Sequence, residues 1–434
     1  MDIKSLFGKA PQVRAPSKDL AIKERIKWTS LAGVLFLLMS FLPLPIDRAD
    51  IPYAYLQSPF YSTAFSILAL GVGPIITGIL LMHVLLRFRI LRLDLGNESD
   101  RRFFYGLQKV LILVIALFEA LAFITGFGLA HSMIDYSYLM AFMVLGTVSL
   151  LFLDELVVKW GLGSGLGLFV ALGVAKVLLF DGFLKLSQFF DEMLTYNKVN
   201  LLTILPLAFT ILLAYAIYKT IKRATVFELK NEKVSGSYAL VLFYVSFMGV
   251  SYYGSAGSII KILSGGSINA SLNGLLLPEN WYMLGNQATM LKVVTYLCIN
   301  VPLAFIITCF WIWFFGFYQL YSQPSSFRLK DKEKEREIKD KLKKIIPVSI
   351  SIGIIMTPLA EMLSVFIGFL GTLYLISYIY RCSEEILGPK KSCPVCESTG
   401  IEWLLPASWC IWECRDCGYR GAIAIDQEKT TKLK

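Results

Sequence analysis

SILALGVGPIITGILLMHVLL, residues 66–86, is apolar throughout and long enough to cross a bilayer, since about 20 helical residues span the hydrocarbon core. It also carries Gly71, Gly73 and Pro74 in one run, which deprives a helix in lipid of backbone hydrogen bonds. Broken backbone at membrane depth is tolerated only where protein or a water-filled cavity surrounds it. Two readings follow: an ordinary kinked span, because Gly and Pro are common in membrane helices, or a span that lines a pore. A second stretch has the same character. Leu153-Asp154-Glu155 leads to Lys159 and then to glycines at 161, 163, 165 and 167 that open another apolar helix.

Composition settles the class. Mean hydropathy is +0.61, with 56% hydrophobic and 17% charged residues, so the chain is an all-α polytopic membrane protein. A formal charge of +10 would suit nucleic acid, but the positive-inside rule predicts the same excess in cytoplasmic loops. Residues 1–27 hold seven Lys/Arg and three acids and form a basic cytosolic segment, placed to lie on the membrane surface. This is no cleaved signal peptide: the apolar segment after it is too long, no small-residue cleavage site follows, and many spans come later.

Apolar runs predict ten spans, near 28–46, 66–87, 107–128, 137–156, 164–181, 200–219, 238–256, 288–315, 345–362 and 364–381. Basic residues follow the second span (Arg87, Arg89, Arg92, Arg101, Arg102) and the sixth (Lys219, Lys222, Arg223, Lys230, Lys233). Nine more lie in 328–344, beginning at Arg328 and Lys330. All three loops fall on the N-terminal side, which is therefore cytoplasmic, and ten spans return both termini to it. Asp50–Ala64 is too apolar and aromatic for a plain solvent loop, with Tyr53, Tyr55, Phe60 and Tyr61. Glu119 stands mid-span in LFEALAF, where a carboxylate must face the bundle interior or a wet cavity. No catalytic constellation is visible, so no enzyme is expected. His83 and His131 lie far apart and suit helix ends, and no phosphate-binding loop or nucleophile elbow occurs.

The most specific motif comes last. Cys393-Pro-Val-Cys396 and Cys414-Arg-Asp-Cys417 are separated by seventeen residues. Paired C-x-x-C knuckles at this spacing offer four thiolates to a structural zinc ion, closed to water. The alternative, two disulfides, is disfavoured on the cytoplasmic side, where thiols stay reduced. Cys298, Cys309, Cys382 and Cys410 are spare.

LGVGPIIT and LDELVVKWGLGSGLGLFVALGV closely resemble signatures of the SecY family, the central subunit of the protein-conducting channel. The resemblance extends to KERIKWTSLAGVLFLLM (23–39) and to Leu93-Asp94-Leu95 with Arg101, Phe104 and Gln108-Lys109. It continues in Tyr244-Val245-Ser246, Lys344-Ile-Ile-Pro347, Phe366-Ile-Gly and Ser377-Tyr-Ile-Tyr-Arg381, so it covers about residues 10–385, with an archaeal or eukaryotic flavour. It implies a multi-pass protein of the cell membrane with two pseudo-symmetric five-helix halves, 28–181 and 182–385, related by inverted topology. The segment at about 50–65 becomes a plug, against the alternative of an interfacial aromatic belt. The cysteine-bearing tail, 386–434, is not a standard part of the family.

The same resemblance implies site residues. Val72, Ile76, Leu166 and Val170 match a ring of apolar side chains that seals the pore. The seventh span brings Phe247-Met248-Gly249 and Ser251 where the family has Asn-Ile-Pro and a branched apolar residue. The tenth brings Leu373 or Tyr374. Thr77, Glu119 and Ser258 match a polar cluster at a lateral gate, against a simple helix–helix hydrogen bond. Lys222, Arg223, Arg328 and Lys330 match loops that dock the ribosome, where cations could hold rRNA phosphates. Their alternatives are topology determination alone and, for 330–344, a solvated helix with internal ion pairs, because 328–344 also holds five acids. Implied partners are a SecE-like helix, a second small membrane subunit, the ribosome and nascent chain, preproteins and the bilayer. The resulting expectation is a channel that translocates unfolded polypeptides and inserts membrane proteins. Two competing expectations stand beside it: a divergent paralogue acting as scaffold or specialised insertase, and an inverted-repeat solute transporter, which would need paired midplane charges.

Overall fold

Helix α1 (Ile22–Phe41) begins within the basic segment, so Lys23, Arg25 and Lys27 lie in its first turns. It belongs to a computed structural model that describes residues 11–14, 16, 20–46, 65–88, 90–93, 97–196, 208, 211–219, 221–222, 226–229, 232–236, 298, 302, 305–306, 309, 340, 369–404, 411–414, 416–417, 420–421 and 423–426. The chain divides into two units, Met1–Leu172 and Gly173–Lys434.

In the first unit α1 is followed by α2 (Gly73–Arg87), α3 (Glu98–Phe127), α4 (Met133–Trp160) and the start of α5 (Gly165–Tyr196). Helices α3 and α4 start at side-chain caps. Asn97 accepts from the Ser99 amide at the head of α3, and Gly128, at φ +65°, ends that helix. Ser132 and Asp135 form a capping box on α4, in which the Asp135 carboxylate also accepts from the His131 amide. Among the described residues, Arg102–Phe127 and Met133–Trp160 are long and apolar enough to span a membrane.

The predicted second span differs. Only Gly73–Arg87 is α-helical, with Pro74 in the first turn, where its missing N–H costs nothing. Fifteen residues reach about 22 Å, short of the ~30 Å core. Residues 65–72 run as turns, with the Ala69 amide on the Ser66 carbonyl (2.8 Å) and Gly71 on Leu68 (2.7 Å). Gly71 takes φ +57°, a conformation costly for any residue with a Cβ. The chain leaving α1 satisfies more of this backbone: Leu44 donates to Phe65 (2.8 Å) and Ile67 to Leu42 (3.0 Å). An apolar cluster of Leu44, Phe65, Ala120, Ile124, Leu129, Leu139 and Met143 closes over it. Phe65 meets the rings of Phe123 and Phe127 edge-on. The rest of the expected plug segment lies outside the described residues.

In the second unit α5 continues well past the predicted end at 181, and helical residues 211–219 bury Leu213 and Ile217. Helix α6 (Phe369–Leu387) sets Tyr380 against Tyr218, ring centroids 6.2 Å apart. Among the described residues, seven short strands make two antiparallel sheets: β1 (Val226–Leu229), β2 (Glu232–Gly236), β7 (Ile423–Asp426) and β3 (Lys391–Ser392) in that order, and β4 (Ile401–Leu404), β5 (Ile411–Cys414) and β6 (Arg420–Gly421).

Close packing in the first unit gives a stability test. A Cβ on Gly146 of α4 would overlap the Ile67 carbonyl, whereas one on Gly126 meets nothing within 4 Å. Gly146→Ala should cost about 1–3 kcal/mol and lower the melting temperature of the detergent-solubilised protein. Gly126→Ala should leave it unchanged or slightly higher. Equal melting temperatures for the two variants would contradict the packing of α4 on the unwound segment.

Candidate functional site

Two sets of residues carry the chemistry. The first surrounds the breaks in the bundle. Val72 is the N-cap residue of α2 and Ile76 lies one turn on, both half-buried. Spaced four apart, they share a helical face. Leu166 and Val170 repeat that spacing on α5, Leu166 buried and Val170 half-buried. Leu166 is held by a contact that sequence reading missed. The Asp154 carboxylate accepts its amide at 2.8 Å, twelve residues back on α4, while the Ser164 hydroxyl accepts from Gly167 at 3.1 Å. Gly165 is obligatory between them, because a Cβ there would run into the Asp154 backbone. A serine just before a helix start is the signal that could have located this cap.

The glycine run 161–163 is held from α1. Arg25 donates through Nε to the Gly161 carbonyl (2.8 Å), and the Thr29 hydroxyl accepts from the Leu162 amide (2.8 Å). Trp28 and Trp160 lie 5.3 Å apart, and Phe36 stacks on Phe169 at 5.0 Å. Nearby, Lys109 pairs with Glu155, and both grip the N-terminal chain: Lys109 Nζ donates to the Pro11 carbonyl (2.6 Å) and the Val13 amide to Glu155 (2.9 Å). Trp160 Nε1 adds a bond to the Arg14 carbonyl at 2.8 Å.

Glu119 of α3 sits half-buried with Oε2 3.2 Å from where a Gly73 Cβ would stand. Its carboxylate therefore lies at the N-terminus of α2, where unpaired N–H groups favour negative charge. Thr77 is exposed on the next turn of α2. The third expected gate residue, Ser258, lies outside the described residues, as do Met248 and Ser251 of the ring. Of the docking residues, Lys222 is helical and exposed, and Arg223, Arg328 and Lys330 lie outside the described residues.

The second set is the cysteine cluster. Cys393 follows β3, Cys396 closes the first knuckle, Cys414 ends β5 and Cys417 closes the second. The four sulfurs lie within 4.8 Å of one another, with Cys393–Cys417 at 3.6 Å and Cys396–Cys414 at 3.5 Å. Both distances far exceed a disulfide bond and lie near the ~3.8 Å edge of a tetrahedron with ~2.3 Å metal–sulfur bonds. The first knuckle is preset by its own backbone: Cys393 N donates to the Ser398 carbonyl (2.8 Å), Glu397 N to the Cys393 carbonyl (2.9 Å) and Val395 N to Cys393 Sγ (3.4 Å). Ser398 also bonds the Asp416 carboxylate, tying the two knuckles together. Burial pushes the Cys393 thiol up, while the Ser398 amide pulls the Cys396 thiol down. A bound cation would draw all four to thiolates. The donor set fits one metal ion.

Long apolar helices, a predicted span that is helical only over Gly73–Arg87 and capped glycine runs mark a polytopic helical membrane protein. A family model described as SecY matches residues 66–381, and this chain belongs to the SecY family. A relative named protein translocase subunit SecY, from Methanocaldococcus jannaschii, is 27% identical over 89% of this chain and 96% of its own. The subunit of that name from Methanothermobacter thermautotrophicus is 37% identical, but the match spans 42% of this chain and 41% of that one. Among solved structures, Sec61 in the canine ribosome–channel complex from the endoplasmic reticulum is 23% identical. It superposes with a TM-score of 0.64 over 88% of this chain and 96% of its own, a likeness that speaks to the fold.

Because thiols must lose protons to bind metal, acid competes with loading. Protein purified under reducing conditions should carry about one metal ion per chain, retain it at neutral pH and release it on acidification. Cys→Ser at 393, 396, 414 or 417 should abolish loading in metal analysis. Retention by all four variants would contradict the site.

Proposed function

We propose that this chain is the pore-forming subunit of a protein-conducting channel, passing unfolded polypeptides across the membrane and releasing apolar segments sideways into lipid. The observation that carries the reading is the unwound segment 65–72, bonded to residues 42 and 44, packed through Phe65 on the apolar cluster and ending at Val72. Family membership and the near full-length match to a translocase subunit support it. The proposed architecture is ten spans, with a basic segment 1–27, halves 28–181 and 182–385, a plug at about 50–65 and a tail 386–434. Both termini face the cytoplasm of a cell membrane.

Val72, Ile76, Leu166 and Val170, joined by Met248 and Ser251, form a hydrophobic constriction in this account. Such a girdle blocks ions by dewetting when empty and yields around a passing chain, because its contacts are non-directional. Asp154, through Leu166 N, positions one side of it. Thr77, Glu119 and Ser258 belong to the lateral gate, with the Glu119 charge favoured by the end of α2. Lys222, Arg223, Arg328 and Lys330 form the docking face for a ribosome, and a SecE-like helix with a second small subunit braces the bundle. The four cysteines hold structural zinc, because a closed all-thiolate site leaves no open coordination position for catalysis. One observation favours a second reading, a specialised insertase or scaffold: Ser251 stands where the family has a branched apolar residue, beside a tail the family lacks.

Val72→Cys or Leu166→Cys, in protein assembled with its partners, should crosslink to a stalled nascent chain. Absence of any polypeptide crosslink from both sites, with assembly intact, would defeat the translocase reading. Ser251→Ile should lower resting ion leak, and the paired Val72→Gly, Val170→Gly change should raise it, as read by conductance in planar bilayers.

A further inference from the structure

The zinc reading explains how the tail folds but not what it does for the channel. Its strand pairing supplies the missing link. Strand β7 is one of the two inner strands of a four-stranded sheet, and its neighbour β2 comes from elsewhere in the chain. On that side Val234, Ser235 and Gly236 of β2 lie opposite Ile425, Ala424 and Ile423. On the other, Lys391 and Ser392 of β3 lie opposite Asp426 and Ile425, and the next residue is Cys393. Ala424 of β7 is buried in the same cluster as Cys393, Ile401, Trp412 and Cys414. Lys391 clasps the arrangement, bonding Asp426 at 2.5 Å and Glu384 of α6 at 3.5 Å. The hairpin β1–β2 belongs to the loop after the sixth predicted span, whose basic residues Lys219, Lys222 and Arg223 lie just before β1.

We infer that the cysteine-bearing tail is a metal-dependent brace for the hairpin 226–236. A two-stranded hairpin by itself is marginal in water and needs a third strand or a packed face. Here the third strand is β7. A domain this small has too little apolar surface to fold unaided and draws its folding free energy from the metal. Metal holds Cys393 and Cys414, those residues fix β3 and β5, β3 and the buried cluster fix β7, and β7 holds β2. The hairpin is itself nearly neutral, with Glu228 and Glu232 set against Lys230 and Lys233. Its contribution is therefore to fix the basic run just before it, not to add charge. This inference rests on the zinc reading and deepens the docking role proposed for Lys222 and Arg223: a partner on that loop meets hairpin and tail as one sheet.

Hydrogen exchange on the full chain, zinc-loaded and then stripped by a chelator, tests the brace. Stripping should speed exchange in peptides covering 226–236 by at least about tenfold, leave peptides within 102–127 unchanged, and be reversed by added zinc. Ser235→Pro, which removes a ladder hydrogen bond in β2, should free the hairpin while one zinc is retained. The brace is overturned if hairpin exchange stays slow when the metal is gone and the peptides of 411–426 have lost protection. Protein that binds no zinc at all overturns the zinc reading as well, and the metal assay separates the two failures. A zinc-dependent hairpin with undiminished ribosome co-sedimentation leaves the brace standing and removes the docking role of Lys222 and Arg223.

Discussion

In hydrocarbon, every backbone N–H and C=O must find a partner within the protein. The arrangement of the first unit follows from how that demand is met at two places where helices stop. At 65–72 the chain turns on itself and borrows partners from residues 42–44. At 161–167 it borrows from Arg25, Thr29, Asp154 and Ser164. Arg25 and Thr29 stand near the start of α1, and residues 42–44 follow directly on its end. One helix thereby splints both breaks, which lie at its opposite ends. Few intact spans would need such a splint.

The breaks place the candidate pore residues. The turns at 65–72 end at Val72, the N-cap residue of α2, so Val72 and Ile76 stand at a helix N-terminus rather than inside a continuous span. The same unwinding creates the positive end that Glu119 faces, giving a carboxylate in a membrane segment a physical reason to be there. On α5 the Asp154 carboxylate fixes the amide of Leu166 itself. The residues that define the constriction in this account are thus set by backbone hydrogen bonds, which are rigid and directional.

Much of this was legible in the sequence. Gly71, Gly73 and Pro74 announced the break, because each alters the backbone wherever it falls, and two C-x-x-C pairs seventeen residues apart announced a metal site. Their sulfurs do converge, within 4.8 Å. Helix bounds were less legible. Hydropathy marks the lipid-facing stretch, but α1, α3 and α4 start before it and α5 runs on beyond it, because hydrogen bonding and caps set the ends. Long-range pairings left no local trace. Gly146 against Ile67, Lys109 and Glu155 against residues 11–13, and β2 beside β7 each join positions far apart in the chain. Periodicity reports what a residue's own element is, not which other element will meet it.

The central claim is that the break at 65–72 lines a conduit for polypeptide and is more than a packed kink. The most direct measurement is a cryo-EM reconstruction of the assembled protein in a lipid nanodisc with a polypeptide arrested midway through. The account predicts a continuous extended chain in contact with Val72, Ile76, Leu166 and Val170, the unwound segment still bonded to residues 42–44. A reconstruction in which those four side chains pack on one another or on lipid, with the polypeptide bound elsewhere or not at all, would contradict it.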